Sequence, residues 1–278
     1  MSHRPTKKRP TSARQRPDSV RLAVALIALM LAPSCGQWDL PVEIPVVATW
    51  HGQPIDCQSE GTSLTDLRFY VSDVQLIDSS GRAHDVRYAT EFEWQNDAVA
   101  LIDLENGEGA CANGTPAIHD RLLGVARARD YRGLRFTVGV PFRLNHANPQ
   151  TATPPLDDAD MHWHQRSGYR FLRAGISNET DGFWVHGGSN GCEGPVGHIR
   201  ACRFPNRFDI TLPDFVPGQH AVSVDLGALV ADIDLANGQS SDCSSGLAES
   251  ACIAPFAALG IDFLTGKPEG GQRVFGIR

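Results

Sequence analysis

The sequence predicts an all-β protein, an antiparallel β-sandwich of Greek-key type with long loops and three disulfides. Eight or so short segments alternate apolar and polar residues, which is the pattern of half-buried strands. The chain contains 27 Gly and 18 Pro, a density of turn-forming residues that suits short strands better than long helices. With 278 residues, 41% of them apolar, the chain is long enough to bury a sizeable core.

The clearest predicted strand covers residues 64–77, LTDLRFYVSDVQLI. Leu67, Phe69 and Val71 would share one face of it, because successive side chains of a strand point to opposite sides of the sheet. Further strands are predicted over 42–50, 99–104, 133–141, 168–174, 183–186, 204–212 and 219–226. Such a series of short strands separated by turns fits an antiparallel sandwich or barrel.

Three segments do not read as simple strands. Residues 116–128 begin with Pro116 and could hold one or two helical turns, because proline is favoured at the start of a helix. Residues 226–236 fit either a strand or a short helix. Residues 145–160, rich in Pro, Asp and Thr, form the longest loop, and long ordered loops are often functional.

The charge is concentrated at the N-terminus in a way that predicts export. Residues 1–34 carry seven Lys or Arg and one Asp, a balance of +6. Because the whole chain carries −7, the remaining residues carry −13, and an acidic body without a basic stripe is a poor match for nucleic-acid binding. The apolar run 22–32 is the length of a signal-peptide core and too short for a transmembrane helix.

The predicted signal peptide covers residues 1–34 and a single domain covers 35–278. Cleavage by an ordinary signal peptidase would follow Ala32-x-Ser34. The same stretch also resembles a lipobox, in which Cys35 would become the diacylated first residue. We therefore expect a periplasmic or outer-membrane lipoprotein of a Gram-negative bacterium, anchored by lipid at Cys35.

The seven cysteines support an oxidising compartment. If Cys35 is lipidated or removed, six remain, which is enough for three disulfides. The local pairs Cys192–Cys202 and Cys243–Cys252 are predicted because each closes a short loop, and Cys57 and Cys111 are then left for each other. Six cysteines allow 15 connectivities, so this choice depends on proximity alone. A zinc site is the alternative, although no Cys-x2-Cys spacing occurs.

Histidines around the long loop predict a candidate metal site. His146 stands at its start, His162 and His164 flank a tryptophan at its end, and His186 follows about twenty residues later. Imidazole is the commonest ligand for borderline transition metals, and a thioether such as that of Met161 favours reduced copper. The ordinary alternatives are hydrogen-bonding roles for the histidines and core packing for the aromatic side chains.

Catalytic motifs in the structural context that they require are lacking, and we expect the protein not to be an enzyme. Residues 187–191 read GGSNG and so carry the letters Gly-x-Ser-x-Gly, but no helix is predicted directly after them, whereas a nucleophile elbow lies between a strand and a helix. Asp157, Asp158 and Asp160 lack the spacing of an EF-hand and are expected to belong to a solvated loop. No glycine-rich phosphate loop follows a predicted strand.

Several motifs occur in a fixed order along the chain: VGVPFRLNHANP, PPLDDADMHWHQRSGYRFLRAG and WVHGGSNGCEG. They resemble motifs of the MbnP-like copper-binding family, named after a partner protein encoded in methanobactin cassettes. The early strand LRFYVSDVQL and the tail CSSGLAESACIAPFAALGIDF also resemble segments of that family. The resemblance extends over about residues 42–264.

The resemblance implies an exported protein similar to copper-repressible surface proteins of methane oxidisers. In those proteins two histidines and a kynurenine made from a tryptophan hold copper(I). His146 matches the family's Asn-His, and His186 matches the histidine before Gly-x-Ser. Trp163 matches the first tryptophan of a Trp-x-Trp motif, and Gln165 replaces the second one.

The cofactor implied is therefore one copper(I) per chain, bound by His146 and His186 beside Trp163 or its kynurenine product. His162 and His164 are the reserve ligands. The partner implied is a dihaem enzyme related to cytochrome c peroxidase and MauG, which would oxidise the tryptophan. An imidazole must be neutral to bind copper, so we expect affinity to fall below about pH 6.

Two other classes of function remain open at the level of sequence. One is a hydrolase or other enzyme on an all-β scaffold, and the lack of a predicted strand-to-helix elbow around GGSNG counts against it. The other is a β-sandwich lipoprotein that binds carbohydrate or another ligand without metal. That function would require Trp and Tyr side chains exposed together on one flat face.

Overall fold

A computed structural model describes residues 38–179, 181–233, 242–246 and 248–278. The predicted signal peptide, residues 1–34, and the predicted lipidation site Cys35 lie outside these residues. Within them, none of the helices has both the length and the apolar character needed to cross a bilayer.

Strands dominate the described residues, and helices are short. In chain order the strands are β1 (Asp39–Trp50), β2 (Gln53–Pro54), β3 (Ser63–Asp78), β4 (Ala83–Asp85), β5 (Arg87–Tyr88), β6 (Val99–Asp103), β7 (Arg121–Arg127), β8 (Tyr131–Val138), β9 (His162–His164), β10 (Gly168–Ser177), β11 (Gly182–Gly188), β12 (Asn190–Glu193), β13 (Ala201–Phe204), β14 (Phe208–Pro213), β15 (Val222–Asp225), β16 (Ile261–Asp262), β17 (Lys267–Pro268) and β18 (Phe275–Ile277). The helices are α1 (Phe142–Asn145), α2 (Leu226–Leu229) and α3 (Ile253–Ala258), with 3-10 turns at Gly109–Cys111 and Ser250–Cys252.

Two large sheets form the sandwich. One has the order β18-β15-β1-β7-β5, with β2 paired to β1, and the other has the order β11-β10-β3-β8-β14, with β4 and β6 on β3 and β9 on β10. The predicted all-β, antiparallel sandwich is confirmed. Among the strands of the described residues, β1 and β15 pair in parallel, with Val46 opposite Val222. The alternation of residues within a strand does not reveal the direction of its neighbour, so this pairing could not be predicted.

The main core fills the space between the two sheets. Phe275 of β18 lies edge-on against Phe69 of β3 and Phe136 of β8, with ring centroids 5.7 and 5.8 Å apart. Ile44 of β1 and Leu67 of β3 are completely buried in the same cluster. These contacts join the sheets, because buried aromatic and aliphatic side chains contribute the largest share of apolar area.

A second, smaller core lies on the outer face of the eight-stranded sheet. Tyr70, which projects from β3 away from the sandwich, is completely buried there, as are Met161 and Tyr169. The hydroxyl of Tyr70 donates to the carbonyl oxygen of Pro155 at 3.0 Å, and that of Tyr169 donates to Leu156 at 2.5 Å. The predicted loop 145–160 is therefore an ordered cover over this face of the sheet.

Two segments with helical signals in the sequence differ in the structure. The helical turns predicted over 116–128 are wrong, because residues 121–127 form strand β7, which pairs with β1 and places Leu122 opposite Ile44. Pro116 favours the start of a helix, but alternate residues of β7 are buried and the segment pairs with β1, which stabilises a strand instead. The ambiguous stretch 226–236 begins with helix α2, whose N-cap Asp225 accepts the backbone N–H of Ala228 at 3.1 Å.

The three predicted disulfides are confirmed. Their Cα atoms lie 5.4 Å apart in Cys57–Cys111, 3.8 Å apart in Cys192–Cys202 and 4.7 Å apart in Cys243–Cys252. Cys192–Cys202 joins directly opposed residues of the β12–β13 hairpin, whereas Cys57–Cys111 links segments 54 residues apart in the chain. Disulfides of this kind are compatible with an exported protein.

Candidate metal centre

Asn145 fixes the start of the long loop against the sheet. It is buried at the end of α1, and its side-chain amide donates to the carbonyl oxygen of Ser167 at 3.2 Å and to the hydroxyl oxygen of Ser189 at 3.3 Å. The oxygen of the same side-chain amide, Oδ1, accepts the backbone N–H of Tyr169 at 3.0 Å. These bonds place His146, the next residue, beside the start of β10 and the residue that follows β11.

The His146 ring lies between a helix residue and a disulfide. Its edge packs against the ring of Phe142, with centroids 5.2 Å apart, and its Nε2 lies 3.6 Å from Sγ of Cys202. Among the described residues its buried Nδ1 has no hydrogen-bond partner. A buried polar atom without a partner is uncommon in a native structure and indicates a missing ligand or water.

The backbone of His186 is held on the edge of the sheet. Its N–H donates to the carbonyl oxygen of Cys243 at 2.7 Å, and its own carbonyl accepts the hydroxyl of Ser245 at 2.5 Å. The disulfide Cys243–Cys252 thus lies beside β11 and fixes the strand that carries His186. The side-chain Nε2 of His186 is buried and has no hydrogen-bond partner within the part of the chain that is described.

Two tryptophans surround the His186 ring. Trp163 meets it nearly at right angles, with centroids 6.5 Å apart, and Trp184 lies 5.8 Å away at 58°. Gly188 allows this approach, because a Cβ at that position would lie 3.2 Å from the Trp163 ring and 2.9 Å from the carbonyl oxygen of Tyr169. The structure therefore brings the predicted Trp163 and His186 together.

A row of polar residues crosses the outer face of the sheet and ends at His186. Asp103 of β6 lies opposite Arg68 of β3, Arg68 lies opposite Arg173 of β10, and Arg173 lies opposite His186. Asp66 joins the two arginines, at 2.7 Å from Arg68 and 3.0 Å from Arg173. Sequence reasoning missed this row, since it depends on the register between strands that are far apart in the chain.

The positive charges beside His186 affect its protonation. Burial, and then the guanidinium groups of Arg173, Arg170 and Arg68, lower the pKa of His186 to about 4. Arg170 also lies over the ring of Trp163, 5.4 Å from its centroid. His186 is therefore a neutral imidazole at pH 7, with a lone pair available to a ligand.

The other candidate histidines differ from one another. His162 packs edge-on against Tyr169, with ring centroids 5.2 Å apart, and its Nε2 is buried without a hydrogen-bond partner in the described structure. His164 is exposed, and its Nδ1 accepts the backbone N–H groups of Arg166 and Ser167 at 3.3 Å. Burial lowers the pKa of His146 and of His162. His162 is thus better placed than His164 to serve as a reserve ligand.

One group of three potential metal ligands occurs in the described residues, and it differs from the predicted set. It consists of His146, Cys192 and Cys202, whose ligand atoms lie within 4.8 Å of one another. The cysteines are joined in a disulfide and do not offer thiolates in that state. Their position next to His146 was not predicted, because cysteine spacing alone does not show which histidine a disulfide contacts.

The remaining predicted features are structural. Met161, whose thioether the sequence offered as a soft ligand, is completely buried in the second core. Asp158 and Asp160 do not simply face solvent, since each has a carboxylate oxygen 4.0 Å from the guanidinium of Arg68. Of the described Trp and Tyr side chains, Trp38 alone is largely exposed, so they form no flat aromatic face of the kind that stacks on sugars.

Comparisons with known proteins agree with this architecture. The family model for MbnP matches residues 39–245. Among solved structures, MbnP from Methylosinus trichosporium superposes with a TM-score of 0.75 and 27% sequence identity, over 86% of this chain and 98% of that one. A search of curated proteins finds no match. Membership of the family suggests a copper-related role. The family model covers most of the chain and the solved structure shares the fold, so the chain belongs to the MbnP family.

Proposed function

We propose that the protein is an exported copper-binding protein that holds one copper(I) ion through His146 and His186. In this proposal Trp163, or a kynurenine made from it, lies beside the ion, and His162 is the reserve ligand. The observation that carries the proposal is a pair of buried ring nitrogens, Nδ1 of His146 and Nε2 of His186, which have no hydrogen-bond partner among the described residues.

Buried nitrogens of this kind favour a metal ligand for a physical reason. An unsatisfied buried polar group costs on the order of 1–3 kcal/mol, which a bound ion would remove. The lowered pKa values of His146, His162 and His186 keep these rings neutral at pH 7, which is the form that binds metal. Because the pKa of His186 is low, protonation of its ring should release copper only at a lower pH than for an ordinary histidine.

The charges around His186 favour a singly charged ion. Arg170 and Arg173 lie close enough to lower the pKa of His186, and they would repel a doubly charged ion more strongly than a singly charged one. Imidazole binds both copper(I) and copper(II), so in this proposal the arginine charges favour copper(I) over copper(II). This supports copper(I) as the ion in the proposed site.

The proposed site requires an external oxidant if Trp163 is converted to kynurenine. Trp163 is only half-buried, so it is accessible to a partner, and a dihaem enzyme related to cytochrome c peroxidase and MauG is the proposed one. Intact-mass analysis after co-expression with that enzyme should give the mass change of one kynurenine at Trp163. In this role the protein binds copper while a lipid at Cys35 anchors it to the membrane, and it catalyses no reaction of its own.

Copper(I) titration against a chelator such as bathocuproine disulfonate tests the proposal. His146→Ala and His186→Ala should each weaken binding at least tenfold, about 1.4 kcal/mol, because each removes one of very few bonds to the ion. His198→Ala and His220→Ala are matched controls. His198 is exposed, and the ring of His220 already accepts the backbone N–H of Val216 at 3.0 Å.

The outcomes separate the ligands from the proposal itself. If His162→Ala weakens binding while His146→Ala and His186→Ala do not, the ligand assignment is wrong. If His146, His162, His164 and His186 can each be replaced without loss, the protein does not bind copper through this site.

A further inference from the structure

The disulfide Cys192–Cys202 lies in a position that differs from the other two. It joins directly opposed residues of the hairpin formed by β12 and β13, and Sγ of Cys202 lies 3.6 Å from Nε2 of His146. The three potential ligand atoms lie within 4.8 Å of one another. No step of the proposed copper site uses these sulfurs.

This disulfide is also the most accessible of the three. Cys57 and Cys111 are 2% and 1% exposed, and Cys243 and Cys252 are completely buried. Cys202, by contrast, is only half-buried. Thiol–disulfide exchange requires a thiolate to reach one of the sulfur atoms, so a dithiol in solution reaches Cys202 before any other sulfur in a disulfide of the folded protein.

The hairpin holds the two cysteines close to His146 by bonds that do not depend on the disulfide. Asn190 of β12 pairs with Phe204 of β13, and its side-chain amide donates to the carbonyl oxygen of Ser245 at 2.6 Å. The Arg200 N–H donates to the carbonyl oxygen of Glu193 at 2.8 Å. The two thiols would therefore remain near the His146 ring after reduction.

We propose that Cys192–Cys202 is a redox-controlled metal site, which on reduction provides two thiolates that bind copper(I) together with His146. A dithiol supplies two electrons and two protons, so that the S–S bond becomes two thiols and the dithiol becomes a disulfide. Copper(I) then displaces one proton from each thiol. Two thiolates and one imidazole form a soft, three-coordinate set, which suits copper(I) better than imidazoles alone.

This inference goes beyond the proposed function and shares only His146 with it. Reduction would move copper(I) from a site with His186 to a site with sulfur ligands. A small-molecule disulfide would reverse this: it accepts two electrons and two protons to become two thiols, the Cys192–Cys202 bond forms again, and copper(I) leaves the sulfurs. The redox state of one exposed hairpin would thus decide how tightly the protein retains copper.

The test begins with selective reduction of the folded protein by a dithiol without oxygen. Alkylation and peptide mass analysis should label Cys192 and Cys202 and leave the four buried cysteines unlabelled. Copper(I) competition against bathocuproine disulfonate should then show binding at least tenfold tighter in the reduced than in the oxidised protein. A near-ultraviolet thiolate-to-copper(I) absorption should appear in the reduced protein alone.

Variants identify the ligands. The double variant Cys192→Ser/Cys202→Ser should bind like the oxidised parent under both conditions. His146→Ala should weaken binding in the reduced protein, whereas His198→Ala, on the same hairpin, should not. The inference is overturned if reduction leaves the affinity unchanged, if the double serine variant retains the gain, or if the buried cysteines are labelled first.

The same experiment separates this inference from the proposed function. If the oxidised protein binds no copper(I) but the reduced protein does, the imidazole site fails and the thiolate site stands. If the oxidised protein binds copper(I) and reduction adds nothing, the reverse holds. His186→Ala should affect the oxidised protein alone, because the thiolate site does not include His186.

Discussion

Met161 provides a sharp distinction between packing and metal ligation. The sequence offers its thioether as a soft ligand, whereas the structure buries it completely in the second core with Tyr70 and Tyr169. Met161→Ala should lower the free energy of unfolding by about 2–5 kcal/mol, the usual cost of truncating a buried Met, Leu or Ile to Ala. Met161→Leu keeps most of the volume and should cost less than about 1.5 kcal/mol.

Two measurements on these variants distinguish a packing role of Met161 from metal ligation. Urea denaturation followed by circular dichroism gives the two free energies, and copper(I) competition against a chelator gives the affinities of the folded variants. Met161→Leu should bind copper(I) as tightly as the parent, because leucine preserves the packing that orders the loop. A tenfold loss of affinity in a stable Met161→Leu variant would identify the thioether as a ligand and refute this interpretation.

Three further predictions concern other parts of the chain. Burial, and then Glu105, raise the pKa of Asp103 to about 8 in the folded protein, above its ordinary value of 3.8. Between these two pH values the folded state holds a proton that the unfolded state lacks, so the free energy of unfolding falls as the pH rises towards 8. Denaturation at pH 5 and pH 8 measures this loss of stability. In Asp103→Asn the loss should be smaller by at least about 1 kcal/mol. Tyr169→Phe leaves the buried carbonyl oxygen of Leu156 without its hydrogen-bond donor, so urea denaturation should give a free energy of unfolding lower by about 1–3 kcal/mol. An unchanged free energy would contradict the role of Tyr169 in holding the loop on the sheet. Intact-mass analysis of the membrane fraction should find diacylated Cys35 as the first residue, and a lipid-free product that starts at Gln37 or later would contradict this.

Much of the fold follows from local alternation in the sequence. Residues 64–77 were predicted as a strand and form most of β3, because Leu67 and Phe69 occupy one face of it. The prediction did not show that the opposite face is also buried, since Arg68 and Tyr70 look like solvent-facing residues in a pattern of period two. Their burial depends on the loop that covers them, which is a long-range contact.

The candidate site was predictable in its residue types and not in its arrangement. The order of His146, Trp163 and His186 in the sequence carried the resemblance, and the contact between Trp163 and His186 agrees with it. The arginine row depends on strand register, and the contact of His146 with Cys202 depends on how a separate hairpin packs against the loop. Neither leaves a periodic signal in the sequence, because both are set by tertiary packing.

In the proposed site, imidazoles hold the copper(I) ion in the oxidised protein. Copper K-edge X-ray absorption on the copper(I)-loaded protein, with all three disulfides intact, tests it most directly. We expect nitrogen scatterers with the multiple-scattering pattern of imidazole, reduced in both His146→Ala and His186→Ala, and no sulfur scatterer. A sulfur shell in the oxidised protein, or a spectrum that neither variant changes, would contradict it.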